Sequence, residues 1–272
     1  MPTKTSYLLL QFLLAVLFSF IITLFAYKRN LLTKAGSILA FILGTMAFGL
    51  GSFKWSIPLL TFFFSSSGLT VLNDKLNRQT TENFKASKCR NYFQVLANGA
   101  IPFALLLIEI FFSSEIIYYV YLVSIATANS DTWSTEIGTM LTTKTYNVTN
   151  FKLVKPGTSG GISVIGTFGG ILGAILIPFS DFSWYNKNIL SLFVLIILSA
   201  LAGNFIDSIL GATLQSKFYC NVCGKETEKR IHCNNYTEHI SGIKWLDNNF
   251  INFLSALVSC IIFLTSYKIF FE

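Results

Sequence analysis

The chain has 272 residues, of which 53% are hydrophobic and only 12% are charged, and its mean hydropathy is +0.59. Soluble domains contain about 25% charged residues, so this composition excludes an ordinary soluble protein and predicts an integral membrane protein. The net charge of +7 would suit a nucleic-acid partner, but basic residues in membrane proteins set topology and contact anionic lipid. We therefore expect a lipid bilayer as partner and no nucleic acid.

Eight apolar runs follow one another along the chain, and most approach the length of about 20 residues that a helix needs to cross a bilayer. They cover residues 7–26, 35–50, 55–72, 95–112, 116 into the segment around 131, 162–179, 189–214 and 250–267. Strands are not expected, because open sheet edges are not tolerated in lipid. The pattern predicts an all-α fold, a single integral membrane domain over residues 1–272 with about eight transmembrane helices.

The basic residues predict how this bundle is oriented. If the helices alternate in direction, all but four of the 20 Lys and Arg residues fall on one side. Basic loops stay in the cytosol, so we predict both termini outside or lumenal. The long loops at 73–94, 139–161 and 215–249 would then be cytosolic, and the chemistry would face the cytosol.

The segment Ala126–Gly138 carries two carboxylates, Asp131 and Glu136, at the end of an apolar run. Asp207 lies inside a later run, at a similar predicted depth from the same side. Charge inside a bilayer is costly and indicates a functional site. Carboxylates bind Mg²⁺, which in turn binds phosphate oxygens, so Asp131, Glu136 and Asp207 are the predicted metal-binding and catalytic residues.

Each of these acids also has a structural explanation. Asp131 and Glu136 are about 140° apart around a helix, so they need not share a face, and one could pair with a loop lysine. Asp207 could form a hydrogen bond with Asn129 or Thr127 across a helix interface. Asn129 is at the same time a candidate substrate-binding residue.

A glycine-rich stretch at residues 155–161 comes before the sixth predicted helix. Glycines let the backbone approach a ligand, and helix N-termini attract anions. Lys155 could add a cation, although the Walker A order is absent and a flexible helix-capping turn is the alternative. The candidate phosphate-binding residues are Gly157, Thr158, Ser159, Gly160 and Gly161. The glycines that follow, at 166, 169, 170 and 173, predict tight helix packing.

Further candidates lie where helices enter the predicted cytosolic face. Arg90 could hold a phosphate or act as a positive-inside anchor, and Asn98 follows it inside the next helix. Asp247 and Asn248 precede the last helix, where they could contact a metal or nucleotide. N-capping is the alternative, because Asp and Asn favour that position.

The loop at 215–249 contains a Cys-x-x-Cys pair, Cys220 and Cys223, which resembles half of a zinc site. Cys233 with His232 or His239 could supply the remaining ligands, although adjacent His and Cys residues are awkward for one ion. The alternative is a set of reduced cytosolic thiols in a polar loop. The predicted zinc ligands are Cys220, Cys223, Cys233 and His232.

Taken together, five of these stretches occur in the order seen in a known family. The stretches are Gln94–Gly99, Ser130–Gly138, Gly157–Gly161, Asp207–Thr213 and Leu246–Asn249. Over about residues 35–267 the chain resembles the family of transmembrane protein 19, which includes plant phytyl-phosphate kinase. The CTP-using phytol and dolichol kinases are more distant relatives by analogy. The Cys and His residues are not part of the resemblance.

The resemblance implies a kinase that transfers a nucleotide phosphate, with CTP favoured, to an isoprenoid phosphate at the cytosolic face. Asp131, Glu136 and Asp207 would hold Mg²⁺, while Lys155 and the glycine-rich backbone would bind phosphates and Arg90 would assist. Two other classes compete with this hypothesis. One is an ion- or proton-coupled transporter that uses Asp131 and Asp207, and the other is a non-catalytic membrane protein.

Overall fold

The computed structural model describes residues 4–77, 89–141, 144–181 and 189–271, which form seven helices and eight short strands. The helices are α1 (Lys4–Lys28), α2 (Lys34–Asn77), α3 (Tyr92–Phe112), α4 (Glu115–Met140), α5 (Val164–Ser180), α6 (Ile189–Thr213) and α7 (Asn248–Phe271). The strands are β1 (Thr145–Asn147), β2 (Leu153–Val154), β3 (Gly161–Ile162), β4 (Lys217–Cys220), β5 (Lys225–Thr227), β6 (Ile231–His232), β7 (Asn235–Tyr236) and β8 (Glu238–Ser241). The predicted helical membrane protein is confirmed.

Within the described ranges, five helices are long and apolar enough to cross a membrane, namely α1, α2, α3, α6 and α7. Helix α5 is apolar but has only 17 residues. Helix α4 carries the polar residues of Ala126–Gly138, and it is buried without interruption from Tyr118 to Ser130. It packs against α2, α3, α5, α6 and α7. Protein rather than lipid therefore surrounds the most polar helix of the bundle.

Helix α2 is folded back on itself. It spans 44 residues, but Ser52 has a non-helical φ of 61° and ψ of −163°. The N–H of Thr33, just before α2, donates to the carbonyl of Arg90 (3.0 Å), and the Arg90 guanidinium donates to Ser66 (2.8 Å). A straight helix would separate Thr33 and Ser66 by about 50 Å, so the two halves run antiparallel. The predicted helices at 35–50 and 55–72 correspond to these halves, so the seven numbered helices contain the eight helical segments predicted from the sequence.

Helices α4 and α5 approach each other backbone to backbone. A Cβ added at Gly169 or Gly173 would lie 2.9 Å from the carbonyl oxygen of Trp133 or Asn129, respectively. Only glycine leaves room for this contact, as the glycine pattern predicts. The tight packing holds α4 in a set position relative to α5.

The strands correct the expectation that none would form. They make three small antiparallel sheets, ordered β2-β1-β3, β5-β4-β8 and β6-β7. All of them belong to the two polar loops between α4 and α5 and between α6 and α7. Unpaired backbone groups at a sheet edge are unfavourable in lipid, but in these polar loops water can form hydrogen bonds with them.

These loops lie at the same end of the bundle, which we call the loop end. Ser159, before β3, donates to Gln215 after α6 (2.6 Å), and Asn73 at the end of α2 donates to Glu136 near the end of α4 (2.7 Å). Of the predicted loop 73–94, residues 78–88 lie outside the described ranges. The cytosolic orientation of the loop end remains a prediction.

Candidate functional site

Two carboxylates from different helices lie close enough to interact electrostatically at the loop end. Asp131 of α4 and Asp207 of α6 repel each other electrostatically, and Asp207 is only 8% exposed. The Ser255 hydroxyl of α7 donates to Asp207 Oδ2 at 3.1 Å. We call Asp131 and Asp207 the acid pair. Their similar depth in the bundle agrees with the spacing argument from the sequence.

The alternative partners considered for Asp207 are engaged elsewhere. Thr127 shares a hydrogen bond with Ser259 of α7 (2.8 Å). The Asn129 amide donates to the carbonyl of Gly173 (2.8 Å). The suggested hydrogen bond from Asp207 to Asn129 or Thr127 is therefore wrong, and the partner of Asp207 is Ser255. Asn129 is fully buried and serves the α4–α5 interface.

In the described part of the chain, the groups that act electrostatically on Asp207 do not include a cation. These groups are Asp131, Ser255 and Glu228, and Glu228 adds a further negative charge. Like charges that repel each other in a partly or fully buried environment are unfavourable unless a cation or protons neutralise them. Oxygen donors from two carboxylates and a hydroxyl are the ligand types that Mg²⁺ prefers. The residues present therefore fit a divalent cation.

Glu136 lies in a different environment, facing α2. Thr70 donates to its Oε1 at 2.5 Å, and Asn73 donates to its Oε2 at 2.7 Å. Arg90 also acts electrostatically on Glu136, and its guanidinium donates to Ser66 at 2.8 Å. We call Arg90, Glu136, Ser66, Thr70 and Asn73 the arginine cluster.

Arg90 keeps its charge in this cluster. Burial lowers the pKa of the Arg90 guanidinium to about 10, and the Glu136 carboxylate partly opposes that shift. The guanidinium also lies over the Phe62 ring, 5.4 Å from its centroid. A group with this pKa is cationic at neutral pH, so Arg90 can bind a phosphate.

The structure separates the three acids that the sequence grouped. Glu136 faces α2, whereas Asp131 faces Asp207 of α6, in line with their angle of about 140° around α4. Within the described ranges, a single ion could be held by three or more His, Cys, Asp or Glu side chains at one place. That place is the group of cysteines and a histidine in the last loop, and it does not include the three acids. The candidate magnesium site is thus narrowed to Asp131 and Asp207, and Glu136 belongs to the arginine cluster.

The two sites lie at the same depth of the bundle. Ser65 of α2 donates to Asn129 (3.2 Å) and accepts from the Trp133 indole N–H (3.3 Å). These two α4 residues flank Asp131 in the sequence, while the next residue of α2, Ser66, bonds to Arg90. Helix α4 therefore carries the acid pair on one face and the arginine cluster on another.

The glycine-rich stretch forms a structured turn that rests on α6. Gly157 and Gly160 have left-handed φ angles of 81° and 75°. A Cβ added at Gly160 would lie 2.4 Å from the Cβ of Ala212, about one turn beyond Asp207. The Thr158 hydroxyl donates to the carbonyl of Lys155 (2.7 Å), and the Lys155 side chain is exposed.

This turn does not itself form the N-terminus of a helix. Strand β3 (Gly161–Ile162) intervenes, and Ser163 caps α5 by accepting from the N–H of Gly166 (3.1 Å). The prediction that the stretch opens a helix is corrected accordingly. Its contact with Gly211 and Ala212 of α6 places the turn about one helical turn beyond Asp207.

An apolar cavity of about 300 Å³ lies between α1, both halves of α2 and α3. Its lining is almost wholly apolar, with Arg90, Gln94 and Asn98 at the loop end of α3. The apolar lining includes Phe18, Ile22, Leu32, Ala40, Leu43, Ala47, Phe48, Phe53, Leu59, Leu60, Phe62, Phe63 and Val95. Asn98, a predicted substrate-binding residue, thus lines a mainly apolar cavity.

Asp247 takes the capping role considered for it. Its Oδ1 accepts from the N–H of Phe250 (3.0 Å), and α7 begins at Asn248. Both residues lie at the loop end. Their geometry is explained by the start of α7, without a ligand.

Several polar residues of the site were not predicted from sequence. Ser65, Ser66, Thr70 and Asn73 line one face of the second half of α2, and Ser255 lies in α7. The run of hydroxyl residues at 65–67 inside an apolar segment was the available signal. Their partners come from distant parts of the chain, which no local pattern specifies.

The fold and the site define a multi-pass helical membrane protein with an enclosed polar site at one end of its bundle. The chain belongs to the integral membrane protein family DUF92, whose profile matches residues 17–260. This match and the relatives below confirm the family inferred from the five ordered stretches.

Three relatives cover most of the chain. Protein PGR of Arabidopsis thaliana is 35% identical over 94% of this chain and 95% of its own length. The uncharacterized membrane protein MJ0933 of Methanocaldococcus jannaschii is 32% identical over 81% of this chain and 90% of its own. The chloroplastic protein VTE6 of Arabidopsis thaliana is 24% identical over 85% of this chain and 64% of its own. No solved structure matches the chain.

Proposed function

We propose that the protein is a membrane kinase that transfers the terminal phosphate of a nucleoside triphosphate to an isoprenoid phosphate. One observation carries this proposal. The acid pair, whose negative charge has no cationic partner among the groups that act on Asp207, lies at the same depth of the bundle as the apolar cavity that Arg90 lines. The chain's resemblance to the family that includes plant phytyl-phosphate kinase supports the same reaction, with CTP as the favoured nucleotide.

The cavity is suited to the tail and head of an isoprenoid phosphate. Its apolar walls would take the hydrocarbon chain, whose burial contributes about 0.8 kcal/mol per CH₂. Arg90 would bind the phosphate with charge-assisted hydrogen bonds. Gln94 and Asn98 lie beside Arg90 in the lining and would contact the head group.

The acid pair and the glycine-rich turn are suited to the nucleotide phosphates. Asp131 and Asp207 would hold Mg²⁺, which neutralises charge on the transferred phosphoryl group. Lys155 and the backbone of Gly157–Gly161 would contact the outer phosphates from the loop side. The acceptor is already a phosphate anion, so the chain needs no general base.

Transfer requires the two phosphates to meet at the loop end of α4. The lipid phosphate at Arg90 and the nucleotide at the acid pair would approach from two faces of this helix. Phosphoryl transfer depends mainly on positioning and charge neutralisation. Helix α4, fixed by its backbone contact with α5, would set the relative position of both sites.

The direct test is phosphate transfer by the purified protein. We expect protein in lipid nanodiscs to convert phytyl or geranylgeranyl phosphate into the diphosphate when Mg²⁺ and γ-labelled CTP or ATP are present. Asp131→Asn should lower the rate of transfer by about 10²–10³. Glu109→Gln is the matched control, because Glu109 lies at the opposite end of the bundle, where it accepts from the Ser114 N–H (3.0 Å). Absence of labelled diphosphate across a panel of nucleotides and lipid phosphates would refute the proposal.

A coupled transporter is the second candidate, favoured by the burial of Asp207 in α6, where it accepts a hydrogen bond from Ser255 of α7. Carboxylates inside a bundle can bind the ion or proton that drives transport. Nucleotide-independent flux into liposomes that is lost in Asp207→Asn would favour this function. Phosphate transfer without such flux would favour the kinase.

A further inference from the structure

Four potential metal ligands converge in the loop between α6 and α7, outside the acid pair and the arginine cluster. The Sγ atoms of Cys220, Cys223 and Cys233 and a ring nitrogen of His232 all lie within 4.8 Å of one another. We call these four residues the cysteine cluster. His232 Nδ1 is 3.5 Å from Cys223 Sγ and 3.3 Å from Cys233 Sγ.

These separations match a tetrahedral zinc site. Zinc lies about 2.3 Å from sulfur and about 2.0–2.1 Å from a histidine nitrogen. With tetrahedral angles, the sulfur and nitrogen ligands are then about 3.6 Å apart, and two sulfurs about 3.8 Å apart. A disulfide would use only two of the three thiols, and no disulfide joins cysteines in the described ranges.

The backbone explains how adjacent His and Cys residues can face one centre. Cys220 ends β4, and Gly224, with φ of 66°, donates its N–H to the carbonyl of Cys220 (2.9 Å), which closes the first turn. Cys233 and Asn234 have φ angles of 50° and 60°, so the chain turns sharply after His232. This second turn brings both side chains toward the first, and it removes the geometric objection raised by their adjacency.

His239, the other histidine considered from sequence, is engaged elsewhere. Its ring packs edge-on against Phe218, with centroids 5.4 Å apart. It lies in β8, which pairs with β4 on the side opposite to β5. The structure thus selects His232 as the nitrogen ligand.

We propose that the cysteine cluster binds one structural Zn²⁺ ion. Three thiolates and one imidazole complete a four-coordinate site with no open position, which is typical of structural rather than catalytic zinc. The loop has a small core, in which Phe218, Cys220 and Leu246 are among the few buried residues. Modules of this size usually need a metal or disulfides to remain folded.

The zinc would also order the entrance to the acid pair. Glu228 lies between β5 and β6, the strands that carry the cluster's turns, and its charge acts on Asp207. The base of the loop joins α6 to α7, because Ser216 donates to the carbonyl of Leu246 (2.9 Å) and Ile243 to that of Leu214 (2.9 Å). A metal that holds the loop together therefore holds Glu228 near the mouth of the site.

Metal content of untagged full-length protein, purified without added metal, tests the proposal. We expect about one zinc per chain by plasma mass spectrometry. Cys223→Ser and His232→Asn should reduce zinc severalfold or more, whereas Cys89→Ser and His239→Asn should retain it. Zinc-free wild-type protein, iron in place of zinc, or unchanged zinc in Cys223→Ser would each overturn the proposal.

Two further measurements keep the test valid if a variant does not fold. Cobalt-substituted wild-type protein should show thiolate-to-cobalt charge-transfer bands and tetrahedral ligand-field bands, and their absence would contradict a thiolate site. Chelation should speed tryptic cleavage at the exposed Lys225, Lys229 and Arg230, and unchanged cleavage would contradict a structural role. Neither needs nucleotide or lipid, so failure of the zinc site is distinguishable from failure of the proposed kinase activity.

Discussion

The two faces of α4 at the loop end balance charge in opposite ways. On one face Asp131 and Asp207 repel each other, while Ser255 supplies a neutral donor and Glu228 adds further negative charge. On the other face Glu136 receives two neutral donors and lies near the cation Arg90. The arginine cluster is complete as it stands, whereas the acid pair is stable only with a cation or bound protons.

This difference predicts that removing a carboxylate has opposite effects on stability at the two places. Neutralising one member of the acid pair relieves repulsion, so stability should stay the same or rise while function is lost. Neutralising Glu136 leaves a partly buried guanidinium without its anion. The variants below use this contrast, in order of decreasing expected effect on transfer.

The largest effect is expected for Asp131→Asn and Asp207→Asn. Each should lower the rate of phosphate transfer by about 10²–10³, the range seen when a preorganised charge-stabilising group is removed. The melting temperature should be unchanged or higher, because repulsion falls. Transfer assays and thermal unfolding in the same detergent measure both. A variant that melts earlier and also loses activity would indicate a purely structural role.

The next effect is expected for Arg90→Gln, which removes the cation at the end of the cavity. A charge-assisted hydrogen bond contributes about 1.5–3 kcal/mol, so KM for the lipid phosphate should rise about 10–100-fold. KM for the nucleotide should change little. Arg29→Gln is the control, since Arg29 is exposed near the loop end and stacks on Phe25. An equal rise in both KM values would show that Arg90 does not bind the lipid phosphate specifically.

A smaller effect is expected for Ala40→Phe, which fills part of the cavity. The ring would displace about two buried CH₂ groups of the ligand, at about 0.8 kcal/mol each, so the apparent affinity for a twenty-carbon isoprenoid phosphate should fall about tenfold. A short isoprenoid phosphate should be affected less. Ile42→Phe adds an aromatic ring on the exposed side of the same helix and should leave both substrates unaffected. Equal losses for short and long chains would show that the tail binds elsewhere.

The smallest effect on transfer is expected for Glu136→Gln, which should change the rate only a few-fold. Its main result should be a loss of about 1 kcal/mol of stability, seen as a fall in Tm of about 2–4 °C. Glu238→Gln, in the exposed strand β8, serves as control. If the rate fell as much as in Asp131→Asn, Glu136 would be assigned to the metal site instead of the arginine cluster.

Features carried by local composition were predictable from the sequence. The apolar runs specified a helical membrane bundle, and the glycines at 169 and 173 indicated the close contact between α4 and α5. Asp131 and Asp207 were recognisable because charge within an apolar run is costly. The strands in the polar loops were not predicted. The rule that open sheet edges are not tolerated in lipid was applied to segments that water can reach.

What only the tertiary structure decided is which polar groups meet. Glu136 and Asp131 are five residues apart in one motif, yet the turn of α4 directs one to α2 and the other to α6. Ser52 reverses α2 and thereby brings Ser66 to Arg90, and two left-handed residues bring His232 and Cys233 to the same point as Cys220. The sequence by itself determined the kinds of residue available and their depth in the bundle. Their partners depend on helix rotation and chain reversal, which arise from long-range packing and leave no local pattern.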